Sequence, residues 1–167
     1  HEGVPTILYT GVFPECQCMA TSQDRLRSWT KHPANPVIPT PPRRDLEGFR
    51  DPFCWSDGES WYMVLGSGIV GSGGCVLLYR STDLREWSYL GPLFEGDTGV
   101  MECPNFFPLG ERWLLCVSPF APVIYALGDF REDRFHYADG NVFEIFDIPL
   151  IEGDPATVAW KCTRCEA

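Results

Sequence analysis

The chain has 167 residues, 44% hydrophobic and 22% charged, enough to bury a core and too apolar and aromatic for a disordered segment. Its formal charge of −10 repels phosphate backbones and anionic lipid, which argues against nucleic acid or a membrane surface as the main partner and favours a neutral ligand. No apolar run approaches the roughly 18 residues of a membrane-spanning helix.

His1 opens the chain with no basic-then-apolar leader, in what reads as the middle of a strand, so the sequence is expected to be processed or cut from something longer. Short segments rich in aromatic and β-branched residues predict strands over 6–9, 54–55, 61–66, 76–79, 113–117 and 123–127, each bounded by Gly, Pro, Asp or Ser. No segment sustains a 3.6-residue apolar period over three turns, so the chain is expected to be all-β. From about Asn141 the pattern weakens. The expected division is a propeller unit over 1–140 and a divergent tail over 141–167.

Two echoes run along the chain. Ser22-x-Asp24 followed by Trp29 returns as Ser81-x-Asp83 followed by Trp87, 59 residues later. Arg50-Asp51-Pro52 followed by Trp61 returns as Glu102-Cys103-Pro104 followed by Trp113, with Asp51 and Glu102 taken as equivalent, 51 residues apart. Periods near fifty residues are those of propeller blades of four antiparallel strands, and the chain has room for about three. A blade needs a neighbour on both faces, so the open faces are expected to meet further sequence or a second copy by self-association.

Eight cysteines suggest free thiols more than a disulfide framework, since Cys54, Cys75, Cys103 and Cys116 lie in apolar or strand-like stretches and read as buried. Unpaired, they lean toward a reducing interior. Cys16-x-Cys18 and Cys162-x-x-Cys165 have the look of zinc half-sites, but no nearby His completes either, so no metal and no cofactor is assigned.

The first strand of each blade points its end into the central funnel, so Asp51 and Glu102 would converge on one pocket. Paired carboxylates at a funnel mouth suit glycoside hydrolysis, although turn capping by Asp51 and a solvated Glu102 are the ordinary alternatives. Neighbouring negative charge and burial among Met101, Phe106 and Phe107 would keep an acid at Glu102 protonated. Arg50 either reaches sugar hydroxyls or locks Asp51. Trp55, Trp61 and Trp87 are read as packing between blades.

Phe49-Arg50-Asp51-Pro52 resembles the arginine-aspartate-proline motif of glycoside hydrolase family 32, the invertases and fructan hydrolases, and Met101-Glu102-Cys103-Pro104-Asn105-Phe106-Phe107 resembles its glutamate-cysteine motif. Ile7 to Gly11, Ser22 to Trp29 with Asn35-Pro36-Val37-Ile38, and Trp61 to Ser67 also look like family sequence in the family's order, so the likeness covers about His1 to Phe135. The resemblance implies part of a five-bladed β-propeller acting on a β-fructoside, with Glu102 as general acid/base and Asp51 as transition-state stabiliser. Arg50 would bind substrate, and Cys103 would support the site.

The family's nucleophile is an aspartate in an Asn-Asp-Pro-Asn-Gly-type motif of the first blade, and no such motif occurs here. Retention requires that nucleophile about 5 Å from the acid, so these residues alone are expected to be inactive. Asp24 reads as part of the repeated Ser-x-Asp turn. Met101 stands where several members carry Trp. Two other readings are a non-catalytic carbohydrate-binding module that kept the funnel, and the five-bladed arabinan-degrading hydrolases, against which Glu102-Cys103-Pro104 argues.

Overall fold

The computed structural model describes residues 1, 3–120 and 122–145. These residues form antiparallel sheets and no helix. The first sheet has the order β1 (Thr6–Gly11), β2 (Cys16–Thr21), β3 (Thr30–Lys31). The second runs β4 (Leu46–Ser56), β5 (Trp61–Ile69), β6 (Gly73–Ser81), β7 (Ser88–Gly96), and the third β8 (Glu102–Leu109), β9 (Arg112–Ser118), β10 (Val123–Arg131), β11 (Arg134–Ile145). Within each sheet sequential strands pair, so each sheet is a meander of the kind a propeller blade uses. Four strands per blade holds for the second and third sheets. The first has three among the described residues, β3 being a two-residue rung.

The second sheet is buried on both faces, and its period-two alternation sorts side chains between two cores. Tyr62, Val64, Val76 and Leu78 face the third sheet, where they meet Phe106, Leu115, Val117 and Phe135. Met63, Leu65, Leu77 and Tyr79 face the other way, toward Ile38 and Leu8. Burying each of these side chains contributes about 1.5–3 kcal/mol, which is why the two central strands read as continuous apolar runs. Trp55 lies in the seam between the second and third sheets and Trp87 packs on the opposite core. Trp61 is different, a half-buried ring at the sheet's end that meets His1 edge-on.

The Ser-x-Asp echo is a repeated turn. Ser22 Oγ accepts from Leu26 N–H at 2.9 Å and Ser81 Oγ from Leu84 N–H at 2.9 Å, and both leucines have positive φ, 69° and 65°. Asp24 is spent on Ser28, accepting from its N–H at 2.8 Å and its hydroxyl at 2.7 Å. Of the tail over 141–167, residues 141–145 belong to β11, and 146–167 with Cys162 and Cys165 lie outside the described residues. The six described cysteines are free. Cys18 and Cys75 are buried and Cys16, Cys54 and Cys116 half-buried, whereas Cys103 is exposed, against the expectation of a buried filler.

Candidate active site

β4 and β8 open successive sheets, and each breaks its ladder at the same place. Arg50 pairs with Gly66 and Phe53 with Val64, while Glu102 pairs with Ser118 and Asn105 with Cys116. In both strands two residues oppose one, which is a β-bulge. The bulged residues Asp51 and Cys103 have φ of 60° and 49°, and Pro52 and Pro104 follow them. Proline has no N–H to give the ladder, so it is at home in a bulge. The equivalence is therefore Arg50 with Glu102 and Asp51 with Cys103, 52 residues apart rather than 51. Cys103 faces solvent because the positive φ turns it out of the strand's alternation.

The bulges bring all four predicted residues together. Cys103 N–H donates to Asp51 Oδ2 at 2.9 Å. Arg50 Nε donates to Glu102 Oε1 at 2.8 Å, and Arg50 Nη2 lies 2.8 Å from the same oxygen. Side-chain exposures of 28% for Arg50 and 22% for Glu102 leave the pair only partly screened by water. The expected surroundings of Glu102 differ in kind. Phe106 is committed to the ring cluster between the sheets, Phe107 is 38% exposed, and the group facing the carboxylate is a guanidinium. Met101 is fully buried, and its N–H donates to Ser67 O at 3.0 Å.

Two glycines make room. Gly48, at φ 77°, would set a Cβ 3.2 Å from Arg50 Nη1 and 2.9 Å from Val100, so a side chain there would crowd the guanidinium. A Cβ on Gly66 would lie 2.2 Å from Met101 O, so β8 reaches β5 only because that position is bare.

Three polar side chains of β1, β2 and the turn between them, none anticipated from the sequence, grip residues 49–51. Thr10 Oγ1 accepts from Asp51 N–H at 3.1 Å. Gln17, wholly buried, donates through Nε2 to Phe49 O at 2.7 Å. Glu15 accepts from Phe49 N–H at 2.6 Å and from Arg50 Nη1 at 2.8 Å. They satisfy backbone groups that β4, an edge strand of its sheet, leaves unpaired. The one available signal was Gln17, a polar residue in a strand-forming stretch between Cys16 and Cys18. Burial works against the charge of Arg50, and the bonds from Glu15 and Glu102 overcome it, holding the guanidinium above its ordinary value. Desolvation first, then the Asp51 carboxylate, pushes the Cys103 thiol up. The sulfurs of Cys16 and Cys18 lie 3.9 Å apart, and no group of three or more metal-ligating side chains occurs among the described residues.

Meandering antiparallel sheets whose first strands meet at matching bulges, so that residues 50–51 and 102–103 lie together, are the arrangement of β-propeller blades. The chain belongs to glycosyl hydrolases family 32: the model of that family's N-terminal domain matches residues 1–148. It is 37% identical over 131 residues to a sucrose-6-phosphate hydrolase of Escherichia coli, covering 70% of this chain and 26% of the relative. A levanase of Bacillus subtilis is 33% identical over 146 residues, covering 76% of this chain and 20% of the relative. Among solved structures, a mutant β-fructofuranosidase of Bombyx mori in complex with sucrose superposes with a TM-score of 0.74 at 31% identity, covering 86% of this chain and 36% of that one. Fructan 1-exohydrolase IIa of Cichorium intybus gives 0.73 at 28% identity, covering 87% and 32%. The chain thus spans about a fifth to a little over a third of these relatives, and its sheets are part of a five-bladed propeller.

Proposed function

We propose that a protein carrying this chain hydrolyses β-fructofuranosidic bonds with retention of configuration, Glu102 serving as general acid/base and Asp51 as transition-state stabiliser. The observation that supports the reading is the meeting of the two bulges, where Arg50 bonds Glu102 and the Cys103 N–H bonds Asp51. In this reading Glu102 protonates the leaving oxygen, and in the second half-reaction it takes a proton from water. Asp51 stays ionised beside the developing oxocarbenium ion, its orientation fixed by the Cys103 N–H. Arg50 and Cys103 line the sugar pocket. The propeller unit is taken as 1–140, and the family match runs on to 148.

The relatives named for sucrose-6-phosphate and levan, and the neighbour that holds sucrose, support a fructoside as the substrate class. The 167 residues contain no Asn-Asp-Pro-Asn-Gly-type segment, so the reading assigns the nucleophile to residues other than these. The test is fructose release from sucrose and from a short fructan by the full-length protein. Glu102→Gln and Asp51→Asn are each expected to lower kcat by a factor of about a hundred or more. Sugar bound reversibly with no release by the unaltered protein would make it a carbohydrate-binding propeller instead.

A further inference from the structure

We propose that Glu15 is a positioning residue for the acid/base: its carboxylate fixes the Arg50 guanidinium in the place from which the Nε–Nη2 edge grips one oxygen of Glu102. This rests on the reading of Glu102 as the acid/base. Glu15 lies in the turn between β1 and β2, on a different sheet from either partner, and both of its oxygens are used. Oε2 accepts the Phe49 N–H, which fixes the carboxylate relative to β4, and Oε1 takes Arg50 Nη1. With Nη1 so engaged, Arg50 turns its Nε and Nη2 to Glu102, and both meet Oε1. Among the described residues, no hydrogen bond reaches Glu102 Oε2.

That single-oxygen grip is not what an arginine and a glutamate adopt when left to themselves. Their favoured geometry is a fork on a fork, two parallel bonds that use both carboxylate oxygens. A fork-on-fork pair would occupy the oxygen that must exchange a proton with the leaving group. Glu15 claims the Nη1 corner, which keeps the Nη1–Nη2 edge from pairing with Glu102, and, being itself fixed on the Phe49 N–H, it holds the guanidinium where its Nε–Nη2 edge meets Oε1 alone; Gly48 leaves the space for that placement. The charged or titratable groups with a contact to the Glu102–Arg50 pair are Glu15 from the turn, Asp51 from β4 and Cys103 from β8. Of these, Glu15 alone bonds Arg50 from the side opposite Glu102.

The test compares the full-length protein with its Glu15→Ala variant, with and without added formate, a carboxylate small enough for the vacated space. Glu15→Ala is expected to lower kcat about tenfold with KM held within about twofold, because orientation rather than binding is lost. Formate should restore at least half of the lost rate, and chloride at equal ionic strength should not. An unchanged kcat, a change confined to KM, or a loss that formate leaves untouched overturns the proposal. The nitrogen-15 signal of Arg50 Nε, read in parallel, separates this from the assignment of function. Should the unaltered protein release no fructose, the fructosidase reading fails. An Arg50 signal that moves in Glu15→Ala and returns with formate still supports the grip on Arg50, and an unmoved signal overturns it.

Discussion

Cys103 and Cys75 put the same thiol to opposite environments. Cys75 is fully buried in β6, and burial pushes it up to about 11, whereas Cys103 stands exposed on its bulge. Only thiolate attacks an alkylating agent, so iodoacetamide at about pH 8 should modify Cys103 at least roughly tenfold faster than Cys75, read peptide by peptide in a mass spectrometer. Desolvation and the Asp51 carboxylate hold the Cys103 thiol up, so Asp51→Asn removes one of those two causes and should speed its alkylation by roughly two- to fivefold. A rate that stays the same or falls would show that Asp51 does not sit against Cys103. Asp51, Glu102, Arg50 and Cys103 were legible in the sequence because each lies in a contiguous tripeptide with a proline that marks the bulge. Thr10, Glu15 and Gln17 were not, because their bonds to residues 49–51 span 32 to 41 residues, and no local pattern records such a contact.

Among the strands, β5, β6, β9 and β10 could be read from the sequence, since unbroken aromatic and β-branched runs form them. β7 and β8 could not, because Gly91 with Pro92 and Pro104 with Pro108 interrupt the run, and prolines at bulges and strand ends are compatible with a sheet. β2 was hidden in another way, its Cys16 and Cys18 drawing attention to metal chemistry instead of to a strand whose alternate residue, Gln17, faces β4. The approach of β8 to β5 gives a direct test. Gly66→Ala forces a Cβ toward Met101 O, which is backbone and cannot swing aside, and should cost about 2–4 kcal/mol in urea unfolding. Gly99→Ala, where a Cβ would sit 3.5 Å from Pro119 O, should stay within about 0.5 kcal/mol. The turn after β6 offers a second. Asp83 Oδ1 accepts the N–H groups of Arg85 and Glu86, and these bonds hold its carboxyl below the usual range. A depressed carboxyl stabilises the fold above its unfolded value and loses that contribution as pH falls through the folded one. Asp83→Ala should therefore cost about 0.5–1 kcal/mol near neutrality, after allowance for solvent screening, and progressively less below about pH 4. A penalty that persists at acid pH would mean the carboxylate is not what holds the turn.

The three sheets are joined by two unlike seams: both have apolar cores, and the first adds side-chain hydrogen bonds to residues 49–51. Between the first and second sheets the join includes hydrogen bonds from Thr10, Glu15 and Gln17, each aimed at a particular atom of residues 49–51. Such contacts specify position, and they border the carboxylates. Between the second and third sheets the seam is a cluster of rings: Phe106 lies 5.3 Å from Trp55, 4.8 Å from Trp113, 5.4 Å from Phe130 and 5.0 Å from Phe135. These contacts are apolar and mutually edge-on or stacked, and they hold the third sheet, with Glu102 at its start, against the second. At the rim of that seam Tyr62 donates to Asp133 at 2.9 Å and Arg80 pairs with the same carboxylate at 2.6 Å, but both bonds are partly open to water and add little. The rings should therefore carry the join. Phe106→Ala removes the third sheet's ring at the centre of the cluster and should cost about 3–5 kcal/mol, with hydrogen exchange in β8–β11 rising well ahead of that in β4–β7. Cutting the rim instead, with Tyr62→Phe, should leave exchange in both sheets nearly unchanged. If Phe106→Ala raised exchange equally in the second and third sheets, the two would be one cooperative unit, and the geometry at Glu102 would depend on the whole assembly instead of on this seam.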